Sequence, residues 1–223
     1  MCGRFTLRTS AEVLSQIFGV ADVPLFPPRY NIAPTQNVTA VRLDARQQRE
    51  FATFRWGLIP GWANDASIGN QLINARAETI RTKPSFRNAY RHRRCLVVAD
   101  GYYEWEKQGA GKQPMLFSYP DNRPFAFAGL WEKWQKGPGE IQSCTIITTA
   151  ANDFMKPIHD RMPAILQPQD YDQWLSGELD IAERLFDTSA TAGMTMIPVS
   201  KVVNSPRNDL PQCVEPAPRS SLF

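Results

Sequence analysis

The 223-residue sequence has few histidines and no long apolar run. Two histidines accompany four cysteines, at 2, 95, 144 and 213, without a Cys-x-x-Cys pair, so zinc-ligand spacing is absent. No window approaches the roughly 20 apolar residues of a membrane helix. Arg4, Arg8 and Glu12 interrupt the N-terminus, where a signal peptide would be apolar. We therefore expect no cofactor, no metal, no membrane contact and a cytoplasmic, intracellular location.

The charge balance excludes a protein that binds DNA or membranes through a large net charge. Lys and Arg number 25 and Asp and Glu 22, which leaves a net charge of +3 with only 21% of residues charged. Binding of DNA or membranes through net charge alone needs a larger excess. Any nucleic-acid surface must therefore be local. The hydrophobic fraction, 43%, excludes disorder and is enough for a core.

The hydrophobic pattern predicts an α+β protein of mostly antiparallel strands, arranged as a barrel or packed sheets with a few short flanking helices. A capping-box pattern at Thr9 and Glu12 opens a helix that Gly19 ends. Further helices are predicted at 77–90, broken at Pro84, and at 170–175 and 179–186. Strands are predicted at 38–43, 51–56, 95–99, 115–119, 125–131 and 144–149, and Cys95 and Cys144 lie within them as core residues. We expect a monomer with one domain over 2–205 and a flexible Pro-rich tail over 206–223 that includes Cys213.

Cys2 is the first candidate for chemistry. Removal of Met1 would leave a cysteine whose α-amine and thiol lie on adjacent carbons. With an aldehyde, such an aminothiol forms an imine that the thiol closes to a thiazolidine ring. The reference pKa values, about 7.7 to 8.0 for the amine and about 8.5 for the thiol, leave some neutral amine at physiological pH. Alternatively, Cys2 is an incidental second residue.

Three further residues are candidates, each with a structural alternative. His159 follows an apolar strand and a polar turn, and is either a general acid or base or a structural loop residue. Glu104 shares one strand face with Tyr102 if Tyr103 and Trp105 take the other, and burial there would raise its pKa. Alternatively, Glu104 faces solvent. Asn74 either caps a helix or directs its amide at a reacting group.

A basic stretch between Ile80 and Ala99 holds six Lys and Arg residues and no acidic residue, with Phe86 and Tyr90 interleaved. Phosphate neutralisation combined with aromatic stacking is typical of grooves for single-stranded nucleic acid. The alternative is a solvated helix face, to which His92 belongs. Trp56 and Trp62 flank a Pro-Gly turn that forms either a hydrophobic corner or a wedge for bases.

Six motifs, in order along nearly the whole chain, resemble the SOS response-associated peptidase family: MCGRF (1–5), RYNIAP (29–34), WGLIP (56–60), NARAET (74–79), GYYEW (101–105) and HDRMP (159–163). The stretch 63–71 matches no part of the family pattern. The resemblance implies a largely β fold with flanking helices and a positively charged channel for single-stranded DNA. It also implies capture of abasic sites, which expose an aldehyde, through a stable thiazolidine crosslink that shields the lesion from strand cleavage.

The resemblance also implies roles for named residues. Cys2 is the nucleophile, Asn74 orients its amine or the ring, Glu104 handles the amine proton, and His159 protonates the sugar oxygen during ring opening. Contacts with DNA are implied for Arg4, Trp62, Arg76, Phe86, Thr149 and Arg161, with Asn31 and Pro34 lining the same mouth. The partner is single-stranded DNA containing abasic sites, with nucleoid association when bound.

Two other hypotheses stay open. In one, Cys2 attacks an amide with His159 as base, which is a cysteine peptidase or self-processing hydrolase activity. In the other, the basic aromatic stretch makes the protein a non-catalytic reader of damaged or modified DNA. Strand-nicking lyase activity is a secondary expectation alongside crosslinking.

Overall fold

A computed structural model describes residues 2–22, 24–177, 186 and 188–218. The strands are β1 (Phe5–Leu7), β2 (Arg29–Ile32), β3 (Asn37–Leu43), β4 (Arg49–Trp56), β5 (Asn74–Arg76), β6 (Arg94–Ala99), β7 (Gly101–Gln108), β8 (Gly111–Ser118), β9 (Phe125–Trp134), β10 (Ile141–Ala150), β11 (Arg161–Pro163), β12 (Ile165–Leu166) and β13 (Thr195–Pro198). The α-helices are α1 (Ala11–Phe18), α2 (Arg87–His92) and α3 (Tyr171–Ser176). Short 3-10 helices lie at Ala66–Gln71, Pro168–Asp170, Thr188–Thr191, Lys201–Asn204 and Pro211–Cys213.

The strands form two sheets. One has five strands in the order β13-β8-β7-β1-β2. In the other, β10, β4, β3, β6 and β9 close into a barrel because β9 pairs with β10, and β5, β11 and β12 extend it. Most pairings are antiparallel, while β10 runs parallel to β4 and β5. The predicted α+β class with mostly antiparallel strands and few short helices is therefore confirmed.

Aromatic side chains from both sheets meet in the largest core cluster. The ring of Phe5, on β1, lies 5.1 Å from Trp56 and 5.7 Å from Phe127. Cys95 and Cys144 are fully buried in the same core, as predicted. Because β1 belongs to the five-stranded sheet and packs on the barrel, the residues just before it lie where the two sheets meet.

The helices follow their local signals, with corrections at their ends. Gly19, with φ of 65°, ends α1 as predicted, but the N-cap is Ser10 and its side chain makes no capping hydrogen bond. The Thr9 hydroxyl bonds instead to the Asp100 carboxylate, 3.0 Å away, since this buried carboxylate gathers several donors from the chain after β1. The helix predicted at 170–175 is present as α3. Of the helix predicted at 179–186, all but residue 186 lies outside the described residues.

The segment 77–90 is mostly turns rather than a helix. Proline at position 84 lacks an amide N–H, and the only helical residues here are the first four of α2. Asn74 does not cap a helix, because it begins β5 and pairs in parallel with Ile146. The prediction of a helix start at this motif was wrong.

The predicted flexible tail is packed against the fold over residues 206–218. Cys213 is fully buried in a cluster with Tyr103 and Val203. The Asp209 carboxylate accepts hydrogen bonds from the backbone N–H groups of Tyr30 (2.6 Å) and Asn31 (2.9 Å). The prolines of this segment fit its extended and 3-10 backbone, so a Pro-rich composition here does not mean disorder. We call residues 199–218 the C-terminal segment.

Candidate active site at the start of strand β1

Cys2 is held at the junction of the two sheets. The Asn74 side-chain amide, on β5, donates a hydrogen bond of 2.8 Å to the Cys2 carbonyl. On the other side, the Tyr103 N–H donates to the Arg4 carbonyl at 3.0 Å, so the chain before β1 runs beside β7. Cys2 has no exposed surface. Two residues 72 positions apart are therefore in direct contact.

Glu104 lies on β7 beside this residue and is only 5% exposed. Burial raises the pKa of its carboxyl to about 7. Tyr102 and Glu104 share one face of β7, while Tyr103 and Trp105 pack together on the other against the C-terminal segment, as the alternation predicts. The solvent-facing alternative for Glu104 was wrong.

The Cys2 thiol is protonated at neutral pH. Burial, followed by the negative charge of Glu104, raises its pKa well above the ordinary value. The Arg4 backbone N–H, which points to the sulfur, acts in the opposite direction but is the weaker effect. At neutral pH the site therefore holds the sulfur as a thiol rather than as the more nucleophilic thiolate.

His159 lies in the turn between β10 and β11 and is half-buried. The Arg161 N–H donates to its Nδ1 at 2.9 Å, and Asp160 Oδ1 lies 2.7 Å from the same nitrogen. Nδ1 cannot accept the Arg161 N–H and donate a proton to Asp160 at the same time. Burial lowers the pKa of the imidazole and is the largest effect on it. The charge of Asp160 raises the pKa of both His159 and Glu104, which shows that these groups share one electrostatic environment.

Asn74 offers the site a second polar atom. Its Oδ1 is buried and accepts no hydrogen bond from any residue that the structure describes. A buried acceptor without a donor is costly. Asn74 Oδ1 is therefore available to an N–H donor that appears next to Cys2.

Three predicted DNA contacts lie around the C-terminal end of β10, at one end of the barrel. Arg76 on β5 pairs with Thr148 of β10, and Arg161 on β11 pairs with Ala150. Arg76 is exposed and Thr149 is half-buried. Both terminal nitrogens of Arg161 bind the Glu78 carboxylate, at 2.5 and 3.0 Å. A phosphate would therefore have to displace Glu78 to reach the guanidinium of Arg161.

Arg4 and Asn31 face the C-terminal segment. Arg4 Nη1 donates to Asn31 Oδ1 at 2.7 Å and to the Val203 carbonyl at 2.9 Å, and the guanidinium lies over the Trp105 ring. Asn31 is fully buried, and its amide nitrogen donates to three carbonyls of the C-terminal segment. The hydrogen bonds of Asn31 therefore join β2 to the C-terminal segment and to Arg4. Pro34, just after β2, is half-buried.

The aromatic residues of the basic stretch are core residues. Phe86 and Tyr90 are 3% and 2% exposed, so neither ring presents a face to bases. Arg94 is buried between Tyr90 and Trp174 at 4.5 Å from each ring. The exposed cations of the stretch are Arg81, Lys83, Arg87 and Arg91, and His92 is also exposed. Trp56 is fully buried whereas Trp62 is 54% exposed. Of the two tryptophans that flank the Pro-Gly turn, the first therefore belongs to the core and the second to the surface.

Sequence analysis assigned no role at the site to Tyr102, Glu78, Met155 or Asp209. Glu78 follows Arg76 in the NARAET motif, and Tyr102 belongs to the GYYEW motif. Both residues therefore lie in motifs that carry the family resemblance. Asp209 lies in the predicted tail and carried no local signal. Within the described ranges, no group of three or more His, Cys, Asp or Glu side chains could hold a metal ion. No described helix is long and apolar enough to cross a membrane.

Comparison with known proteins confirms the family resemblance. The model of the SOS response associated peptidase (SRAP) family matches residues 1–206. The abasic site processing protein YoqW of Bacillus subtilis is 41% identical over 223 residues, covering 96% of this chain and 99% of its own. The abasic site processing protein HMCES of Xenopus tropicalis is 32% identical and covers 86% of this chain and 67% of its own.

Solved structures share the fold. A crystal structure of a protein from Bacteroides thetaiotaomicron superposes with a TM-score of 0.84 at 28% identity, covering 97% of this chain and 100% of that one. Sequence and fold therefore agree, and the chain belongs to the SOS response associated peptidase (SRAP) family.

Proposed function

We propose that this protein captures abasic sites in single-stranded DNA through a thiazolidine formed by Cys2 after removal of Met1. The observation that carries the proposal is the Asn74 hydrogen bond to the Cys2 carbonyl, which fixes the residue beside a buried carboxyl with a pKa of about 7. The relatives named as abasic site processing proteins support the class of lesion. Removal of Met1 would convert the Cys2 amide nitrogen into a free α-amine at this position.

The proposed reaction consumes one aldehyde and releases one water. The ring-opened deoxyribose exposes its C1′ carbonyl, and the neutral α-amine adds to it to form a carbinolamine. Loss of water gives the imine. The thiol sulfur then adds to the same carbon, and the thiol proton is transferred to nitrogen to complete the five-membered ring. Because the thiol proton moves to the imine nitrogen in this step, no free thiolate has to accumulate in the buried site.

The surrounding residues suit the two proton transfers. A carboxyl with a pKa of about 7 can accept the amine proton and later return it near neutral pH. Protonation of the sugar oxygen during ring opening would come from the imidazolium form of His159, which the charge of Asp160 favours. Asn74 Oδ1 is the acceptor for the new amine N–H, which would also satisfy its buried oxygen.

The DNA strand would pass across the end of the barrel formed by β5, β10 and β11. Arg76 and Thr149 present polar groups there. Trp62, which is 54% exposed, is an aromatic side chain on which a base could stack. Arg161 would join after a phosphate displaces Glu78. Arg4 and Phe86 are packed inward and would support the groove rather than line it.

The peptidase alternative needs a thiolate at Cys2, with His159 as its base. Burial and the charge of Glu104 oppose this ionisation, whereas the amine addition that begins aldehyde capture needs no thiolate. Strand cleavage from the imine intermediate is a side reaction that ring closure would suppress. The non-catalytic reader predicts DNA binding that is independent of Cys2.

The test uses a single-stranded oligonucleotide with one abasic site and denaturing electrophoresis. We expect a stable adduct whose mass equals protein without Met1 plus DNA minus one water. Cys2→Ala keeps the amine, so it should form an adduct only when borohydride reduces the imine. Cys213→Ala controls for other thiols, and a tetrahydrofuran analogue, which has no aldehyde, controls for tight binding. A wild-type protein with a processed N-terminus that forms no adduct would contradict the proposal.

A further inference from the structure

Tyr102 makes a hydrogen bond that connects β7 to the turn carrying His159. The residue lies two positions before Glu104 on the same strand face and has no exposed surface. Its hydroxyl donates to the Met155 sulfur at 3.3 Å, and Met155 is also fully buried. Thioether sulfur is a weak hydrogen-bond acceptor. Here both partners are fully buried, so water does not compete for the Tyr102 hydroxyl.

Met155 is the anchor of the His159 turn. Its carbonyl accepts the N–H groups of Ile158 at 2.9 Å and of His159 at 3.0 Å. Its own N–H donates to Asn152 Oδ1 at 3.0 Å. Any movement of Met155 therefore moves the acceptor to which the His159 backbone is bonded.

The Tyr102 ring is fixed independently of its hydroxyl. It stacks on Phe117 with ring centroids 4.9 Å apart and an interplanar angle of 11°, and it meets the edge of Phe127 at 6.1 Å. A phenylalanine at position 102 would keep these contacts. The hydroxyl can thus be removed with little change to the packing around it.

We propose that Tyr102 and Met155 are positioning residues that set the His159 imidazole relative to Cys2 and Glu104. The connection runs from the Tyr102 hydroxyl through the Met155 sulfur to the Met155 carbonyl and the His159 N–H. The role in capture rests on the proposed function, whereas the placement of His159 can be measured without DNA. Burial raises the pKa of Tyr102, so its hydroxyl keeps the proton that it donates.

The first experiment follows the imidazole signals by NMR across a pH titration of the DNA-free protein. The sequence has two histidines, so His92, exposed on α2, is an internal reference. We expect Tyr102→Phe and Met155→Leu each to raise the titration midpoint of His159, because a released turn is less buried. The charged groups that act on His159 are the N-terminal amine, Asp160, Arg161 and Lys112, and none of them changes in these variants.

Two comparisons make the measurement specific. The double variant should show the same midpoint as either single variant, because both substitutions break one contact. Tyr103→Phe is the matched control, since this neighbouring buried tyrosine donates its hydroxyl to the Tyr30 carbonyl, on the opposite strand face. We expect it to lower the melting temperature without moving the His159 midpoint.

The second experiment measures the rate of crosslink formation with saturating abasic DNA. Tyr102→Phe and Met155→Leu should each slow the reaction about two- to tenfold, the size expected for one hydrogen bond. Affinity for undamaged single-stranded DNA should not change.

The outcomes separate the two proposals. An unmoved His159 midpoint in either single variant, or additive shifts in the double variant, would overturn the positioning role. If the midpoint moves as expected while the wild type forms no adduct, the positioning role stands and the proposed function fails. Wild-type crosslinking with unchanged midpoints and rates would leave the proposed function standing and overturn the positioning role.

Discussion

At the scale of single residues, Glu104 should make the stability of the protein depend on pH. Its folded-state pKa of about 7 lies above the ordinary value of 4.5. The folded state therefore holds this proton more tightly than the unfolded chain, and stability contributed by the neutral carboxyl is lost as pH rises from about 4.5 to about 7. Glu104→Gln removes this loss, so we expect it to raise the free energy of unfolding at pH 8 by up to about 3 kcal/mol, and little at pH 4.

Thermal unfolding at several pH values measures this difference. Glu106→Gln is the control, because it is the same substitution two residues along β7, where the carboxylate bonds to the exposed Gln108 side chain. A stability difference for Glu104→Gln that did not grow with pH would contradict the burial of this carboxyl. The same variant should slow crosslink formation, since an amide cannot accept the amine proton.

At the scale of elements, Gly57 decides how the 3-10 helix Ala66–Gln71 approaches the end of β4. Its φ is 126°, and an added Cβ would lie 2.5 Å from the Gly69 carbonyl oxygen. This helix leads into β5, which carries Asn74. Gly57→Ala should cost at least about 2 kcal/mol in unfolding free energy, because strain and overlap add. It should also slow crosslinking by displacing Asn74.

Chemical denaturation measures the unfolding free energy of Gly57→Ala, and denaturing electrophoresis measures its rate of crosslinking. Gly139→Ala is the control, because no atom lies within 4 Å of its added Cβ and its φ is not positive. Equal stabilities of the two variants would contradict the close approach of residues 57 and 69.

At the scale of the whole molecule, the C-terminal segment completes the wall behind the candidate site. Asp209 accepts two backbone N–H groups of β2 and pairs with Arg29. Asp209→Ala would leave these donors without an acceptor. We expect a loss of about 3 kcal/mol, which lowers Tm by about 6 to 12 °C for a chain of this size.

Differential scanning calorimetry can measure that change. Asp121→Ala is the matched control, since its pair with Arg123 is exposed on both sides and such pairs contribute little. An unchanged Tm for Asp209→Ala would mean that the C-terminal segment is not part of the folded unit.

The local elements and the faces of individual strands follow from the sequence. The six predicted strands and α1 follow from apolar periodicity. The end of α1 follows from Gly19, which takes up a left-handed backbone conformation there. The same period of two put Tyr102 and Glu104 on one face of β7. These features depend on neighbours within a few residues, and such neighbours are visible in a sequence.

Which distant segments meet depends on how the two sheets pack. Closure of β9 on β10, the contact of Asn74 with Cys2 and the docking of residues 206–218 all join positions far apart in the chain. Asn74 resembles a helix cap until a parallel partner strand makes it part of β5, and Asp209 has no local pattern at all. Such contacts depend on how whole sheets pack, because long-range pairing outweighs local preference where burial is greatest.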